Sequence, residues 1–125
     1  MEEKKQTEIK NLKSGSFVLL DDDPCRVDKI QISKPGKHGG AKARITATGV
    51  FSGTKKNLVK PGDTRVDVPI IEKRSVQVLA IIGNVIQLMD LEDYSNFETE
   101  KPEDIELHEG QEVTIWRYGS RVMIK

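Results

Sequence analysis

Cysteine occurs once in the chain, at Cys25, so no intrachain disulfide can form. Histidine occurs twice, at His38 and His108, both far from Cys25 in sequence, which leaves no ligand set for a zinc site. Cys25 alternates with Val27 in a strand-like segment and reads as a small buried apolar residue. No apolar run approaches the length of a membrane span, so no membrane association is expected. The opening MEEKKQTEIKNLK lacks the apolar core of a secretory signal; it reads as a polar leader and places the chain in the cytoplasm. Net charge is also missing, with 20 basic and 20 acidic side chains. What remains, 36% hydrophobic and 32% charged residues, describes a globular chain that is neither disordered nor membrane-embedded.

The neutral total conceals an asymmetry. Residues 1–70 hold 14 Lys and Arg against 9 Asp and Glu, and residues 71–125 hold 6 against 11. Lys29, Lys34, Lys37, Lys42 and Arg44 follow one another with no acid between them. A local positive field of this kind favours an anionic partner, nucleic acid first, although a solvated charged loop has the same composition. A length of 125 residues suits one domain or two very small ones. Each of two halves of about 60 residues would bury only about 60% of its unfolded surface and be marginally stable alone.

The pattern is β throughout. Ser16–Leu20 is a short apolar run, and Asp21–Pro24 a turn rich in self-capping acids. Cys25–Ile32 alternates at Cys25 and Val27, then changes phase at Ile30 and Ile32, which predicts a bulge. Ala41–Phe51 alternates Ala41, Ala43, Ile45, Ala47 and Gly49 against Lys42, Arg44, Thr46 and Thr48, a half-buried strand with a basic near end. Between them Ser33–Gly40 forms a hairpin tip with Lys37 at its apex, flanked by small residues. Asn57–Lys60 and Arg65–Pro69 are short strands around Pro61-Gly62. Beyond the junction Pro69-Ile70-Ile71, Ser75–Ile82 and Val85–Asp90 flank a two-residue turn, Gly83-Asn84. The acidic stretch Leu91–Glu112 holds a brief strand near Asn96–Thr99 and a helical turn after Pro102, and Val113–Lys125 is a last hairpin turning near Gly119. About five short strands in the second half suit a small Greek-key barrel of the OB type.

Several chemistries drop out. Gly36-Lys37 could end a phosphate-binding P-loop, but position 31 is Gln31, position 38 is His38, and β alternation follows where a helix is required. His38 has no acid nearby to orient it, Asp28 being the closest in the preceding strand, and His108 lies in an acidic loop as a solvated side chain. No catalytic spacing occurs, and the chain is not expected to be an enzyme or to hold a cofactor or metal. Trp116 and Tyr118 could stack bases, yet they stand in the acidic half, and packing in the core or between domains is the commoner fate of a lone tryptophan. The hairpin tip remains. Its glycines permit positive φ and close approach to a surface, and they present one extended cation to a narrow site or to a modifying enzyme.

Ser33–Arg44, SKPGKHGGAKAR, resembles the modification loop of the translation initiation factor 5A family, the hypusine-containing factors. Leu12–Val27 is similar to the family's opening and Asp67–Ile81 to its interdomain junction, so the resemblance spans nearly the whole chain. The length, and Pro35 where eukaryotic members usually carry threonine, look like the archaeal branch; Gly40 replaces a histidine typical of eukaryotic members. The resemblance implies an N-terminal SH3-like barrel, residues 1–70, carrying the loop at about 33–40, and a C-terminal OB-fold barrel, residues 71–125. It implies that deoxyhypusine synthase transfers an aminobutyl group from spermidine to Lys37, giving deoxyhypusine or, after hydroxylation, hypusine. Lys34, Gly36, His38, Gly39, Lys42 and Arg44 would support the modification loop and contact RNA. The partners implied are the ribosome and the acceptor end of peptidyl-tRNA, where a monomeric factor would help stalled peptide bonds form, notably at consecutive prolines.

Two rivals stand beside this reading. Bacterial elongation factor P shares the Lys-Pro-Gly-Lys-Gly pattern, but it has a third domain for which the chain has no room and usually lacks a histidine after the apex lysine. A general RNA-binding or RNA-chaperone module would use the same basic loop with Lys37 unmodified.

Overall fold

A computed structural model describes residues 3–33 and 40–125. It is all-β, with eleven strands among the described residues. The described residues up to Ile70 form one compact unit and Ile71–Lys125 a second.

The first unit is the SH3-like barrel. Strands β2 (Phe17–Leu20), β3 (Asp23–Ile32), β4 (Lys42–Gly49) and β5 (Lys55–Pro61) form an antiparallel meander in that order. Strands β1 (Glu3–Glu8) and β6 (Arg65–Ile70) pair as a separate antiparallel ribbon, with β6 beside β2. The inward side chains of β3 and β4, among them Cys25, Val27, Ala43, Ile45 and Ala47, are buried with Ile9, Leu12 and Val18. Period-two burial along β4 is what its alternation of small or aliphatic residues with Lys, Arg and Thr dictates. The predicted bulge is present: the β3–β4 register shifts between Val27 and Lys29, which lets Cys25, Val27 and Ile30 face the same core.

Two details of this unit differ from the sequence expectations. Glu3–Glu8 is a strand rather than a loose leader, held by backbone pairing to β6, after which a single 3-10 turn, Ile9–Asn11, buries Ile9 completely. The turn expected over Asp21–Pro24 is confined to Asp21 and Asp22, both at positive φ (52° and 61°), and Asp23 and Pro24 already belong to β3. Two positive φ values suit a tight hairpin, and a short polar side chain tolerates them best after glycine.

The second unit is the OB-type barrel. It consists of β7 (Glu72–Ile82), β8 (Val85–Asp90), β9 (Asn96–Glu100), β10 (Glu112–Tyr118) and β11 (Arg121–Ile124). Its spatial order, β11-β10-β7-β8-β9, is that of a partly open five-stranded Greek-key sheet. Gly83, at φ 59°, turns β7 into β8 as anticipated. Val76, Val78, Ile86, Leu88 and Ile115 make the core. No helix follows Pro102; the chain makes only a turn there.

Candidate nucleic-acid interface

Strands β3 and β4 continue past the edge of the core as a basic hairpin. Its neck is closed by one residue pair. The Ser33 amide donates to the Lys42 carbonyl at 2.9 Å, the Ser33 hydroxyl donates to the same carbonyl at 3.2 Å, and the Lys42 amide donates back to Ser33 Oγ at 3.1 Å. A second brace reaches it from β5. The Gly62 amide donates to the Ala41 carbonyl at 2.8 Å, and the Gly62 carbonyl accepts from the Lys10 amide at 3.0 Å. A Cβ at position 62 would stand 3.2 Å from that Ala41 carbonyl, so the close approach favours glycine. Ser33 and the Ala41–Lys42 end of the hairpin are therefore tied to each other and to the barrel.

Lys42 and Arg44 are exposed on the outward face of β4. Lys34, Gly36, Lys37, His38 and Gly39, the other candidate residues, lie outside the described residues. Register adds Arg26 and Lys55, which the sequence reading had not grouped with the basic run and which flank Thr48, and it places Lys29 of that run opposite Thr46, all on the same face as Lys42 and Arg44. The signal was available in the phase of β3, since a bulge at Asp28 returns Lys29 to the side that Arg26 already occupies. Among the described residues none of these five cations makes an ion pair; the pairs of this unit join Lys4 to Asp67, Lys10 to Glu8, and Lys56 to Asp21 and Asp23. The Asp28 carboxylate accepts the Thr48 hydroxyl at 2.6 Å.

Other groups have structural roles. Cys25 is buried, its thiol pushed up to about 11 by burial and then by Asp23, and it donates to the Asp23 carbonyl at 3.2 Å. Trp116 is half-buried, with the ammonium groups of Lys73 and Lys125 5.3 and 4.3 Å from its ring centroid, while Tyr118 is buried. The indole is thus taken up by this unit's own cations, and a ready stacking platform is not formed. Among the described residues no cluster of three His, Cys, Asp or Glu could hold a metal ion, and no helix is long and apolar enough to cross a membrane.

Two small β-barrels, the first with a basic, braced β3–β4 pair, define a two-barrel β protein. Residues 3–64 match the family described as translation initiation factor 5A-like, N-terminal. Translation initiation factor 5A of Methanocella arvoryzae is 52% identical over 112 residues, covering 88% of each chain. That of Methanothermobacter thermautotrophicus is 50% identical over 125 residues, covering 98% of this chain and 96% of the relative. Among solved structures, the factor 5A of Methanococcus jannaschii superposes with a TM-score of 0.89 at 45% identity, covering 98% of this chain and 92% of that one. A family member from Naegleria fowleri gives 0.73 at 27% identity, covering 98% and 96%. The chain belongs to the translation initiation factor 5A family, in its archaeal branch.

Proposed function

We propose that the protein is a cytoplasmic translation factor that binds the ribosome and promotes peptide-bond formation on stalled peptidyl-tRNA, through a hypusine or deoxyhypusine made at Lys37. The observation that carries this reading is family membership at about half identity, with the sequence Lys34-Pro35-Gly36-Lys37-His38-Gly39 standing between β3 and β4. Deoxyhypusine synthase adds the aminobutyl group of spermidine to Lys37, and the lengthened side chain, now with a second amine, enters the site beside the acceptor end of peptidyl-tRNA. Lys34, Lys42 and Arg44 meet RNA phosphates; Gly36 and Gly39 keep the apex free of bulk; His38 donates to RNA or to the modifying enzyme. Holding the acceptor end in a reactive pose removes part of the entropic barrier, most usefully where consecutive prolines disfavour it. The factor works as a monomer and does no covalent chemistry itself.

The alternative, an unmodified RNA-binding module, uses the same hairpin as a plain cation cluster, and the unpaired Lys42 and Arg44 suit it equally. Lys37→Arg separates the two. In a reconstituted translation reaction on a message with consecutive prolines, the modified wild type is expected to relieve the stall and the arginine variant to lose nearly all of that effect while melting at the same temperature. Retained rescue by the variant would overturn the modification reading in favour of the module.

A further inference from the structure

In the second unit, Val85, Gln87 and Met89 of β8 alternate with Ile86 and Leu88, which enter the core, and so lie on the outward side of the sheet. Register sets Ile82, Val85 and Glu100 side by side there, and next to them Ala80, Gln87 and Glu98. At the register shift between Val78 and Ala80, Leu79 is left exposed. It lines a cleft of about 230 Å³ together with Gln87, Asn96, Phe97 and Glu98. Leu79, Ile82 and Val85 are thus large apolar side chains open to solvent on one face. No lysine or arginine occurs from Ser75 to Glu100, and the charges of this face are Glu98 and Glu100. Gln87 Nε2 donates to Glu98 Oε1 at 3.0 Å. Among the described residues neither Glu98 nor Glu100 makes an ion pair, although Glu72, Asp90, Glu92 and Asp93 of the same unit all meet Arg74.

We infer that the outward face of β7, β8 and β9 docks a short extended segment of another protein, one that carries apolar side chains together with Lys or Arg. Its layout is that of a protein interface: Leu79, Ile82 and Val85 form an apolar centre, and Asn96, Glu98 and Glu100 a polar rim. Charge complementarity selects the partner's sign, since the two unpaired carboxylates call for cations. The same charges refuse the alternatives. In OB barrels the face of the second and third strands commonly binds oligonucleotides, and β8 and β9 hold that position. Here it offers acids where a phosphate backbone needs cations, and anionic lipid is repelled likewise. A second copy of the chain, seated on the same patch by twofold symmetry, would bring two sets of Glu98 and Glu100 into one interface. Size selects a segment rather than a whole surface. Val85 to Met89 and three strands across give a patch about 14 Å long and about 10 Å wide, room for roughly four extended residues. The cleft, smaller than the roughly 300 Å³ of a small-molecule pocket, fits one apolar side chain of such a segment. The inference does not depend on what Lys37 carries.

The test titrates the isotope-labelled full chain with the synthetic peptide Leu-Lys-Val-Lys-Leu-Lys and follows the backbone amide resonances. Shifts are expected at Leu79, Ile82, Val85, Gln87, Glu98 and Glu100. Ile82→Ser/Val85→Ser is expected to weaken binding by about tenfold or more, through the apolar area lost. Glu98→Gln/Glu100→Gln is expected to weaken it by about fivefold or more, as the loss of two exposed ion pairs. Both change exposed side chains or the exposed edge of the sheet, so an unaltered spectrum away from the face verifies the fold. Glu103→Gln/Glu109→Gln, which removes the same charge elsewhere in the unit, is expected to bind as wild type does. An equal loss in that control would reduce the face to a diffuse acidic field and overturn the docking site. Equal binding of Leu-Glu-Val-Glu-Leu-Glu would overturn the basic partner, and no binding of the lysine peptide would overturn the proposal outright. Single-stranded RNA shifting the same amides would make the face a nucleic-acid site and overturn it too. So would self-association of the wild type that Ile82→Ser/Val85→Ser abolishes, since the occupant would then be a second copy.

Discussion

The two units handle their cations in opposite ways. In the first, Arg26, Lys29, Lys42, Arg44 and Lys55 stand exposed on one sheet face and make no ion pair among the described residues. In the second, the arginines turn inward on carboxylates. Arg74 holds the fully buried Asp90 through Nε and Nη2, each 2.9 Å from Oδ2, and also reaches Glu92 at 2.9 Å. Arg117 joins Glu72 at 3.3 Å and approaches Asp90 at 3.9 Å. Asp90 also accepts the Glu92 amide at 2.8 Å and so anchors the turn into β9. The difference of sign between the halves of the sequence is therefore a division of labour. Among the described residues the five cations of the first unit's sheet face make no ion pair, whereas Arg74 and Arg117 of the second tie β7, β8 and β10 together.

That contrast can be broken from either side. Asp90→Ala should have the largest effect on stability: it removes the buried carboxylate that Arg74 holds and the acceptor of the Glu92 amide, for a loss of about 3 kcal/mol in denaturant unfolding. Asp28→Ala, an acid of the other unit bound only to an exposed hydroxyl, should change stability by no more than about 0.5 kcal/mol. Similar losses at the two sites would erase the distinction drawn between them. A smaller effect concerns Cys25. Its folded pKa, about 11 against an ordinary 9.0, lies above that of the unfolded chain. Its contribution is therefore complete below about pH 9 and declines as pH rises toward 11, where the unfolded thiol ionises first. At pH 8 a thiol reagent should label the native protein far more slowly than the denatured one; equal rates would contradict the burial of this side chain.

How much could be read in advance depended on whether a feature leaves an alternating pattern. The β3–β4 hairpin, its bulge and its buried Cys25 were legible because Val27, Ile30, Ile45 and Ala47 must share one core face. β1 was not legible: EKKQTE offers no apolar alternation, and its strand character comes from backbone pairing with β6, which leaves no trace in side-chain type. The Arg74–Asp90 pair was hidden for a similar reason, since only the β7–β8 register, Val76 opposite Asp90, brings residues 16 apart in sequence together. Of the candidate site, Lys42 and Arg44 were visible as a basic strand end, whereas Arg26 and Lys55 join them only through cross-strand neighbours. Lys37, named from its motif, lies outside the described residues.

The central claim is chemical and concerns one side chain. Peptide mass spectrometry across Ser33–Arg44, on protein purified from its own source, reads it directly. The account predicts an added aminobutyl mass on Lys37, with or without one further oxygen. An unmodified lysine there would contradict it and leave the hairpin as a plain cation cluster for RNA.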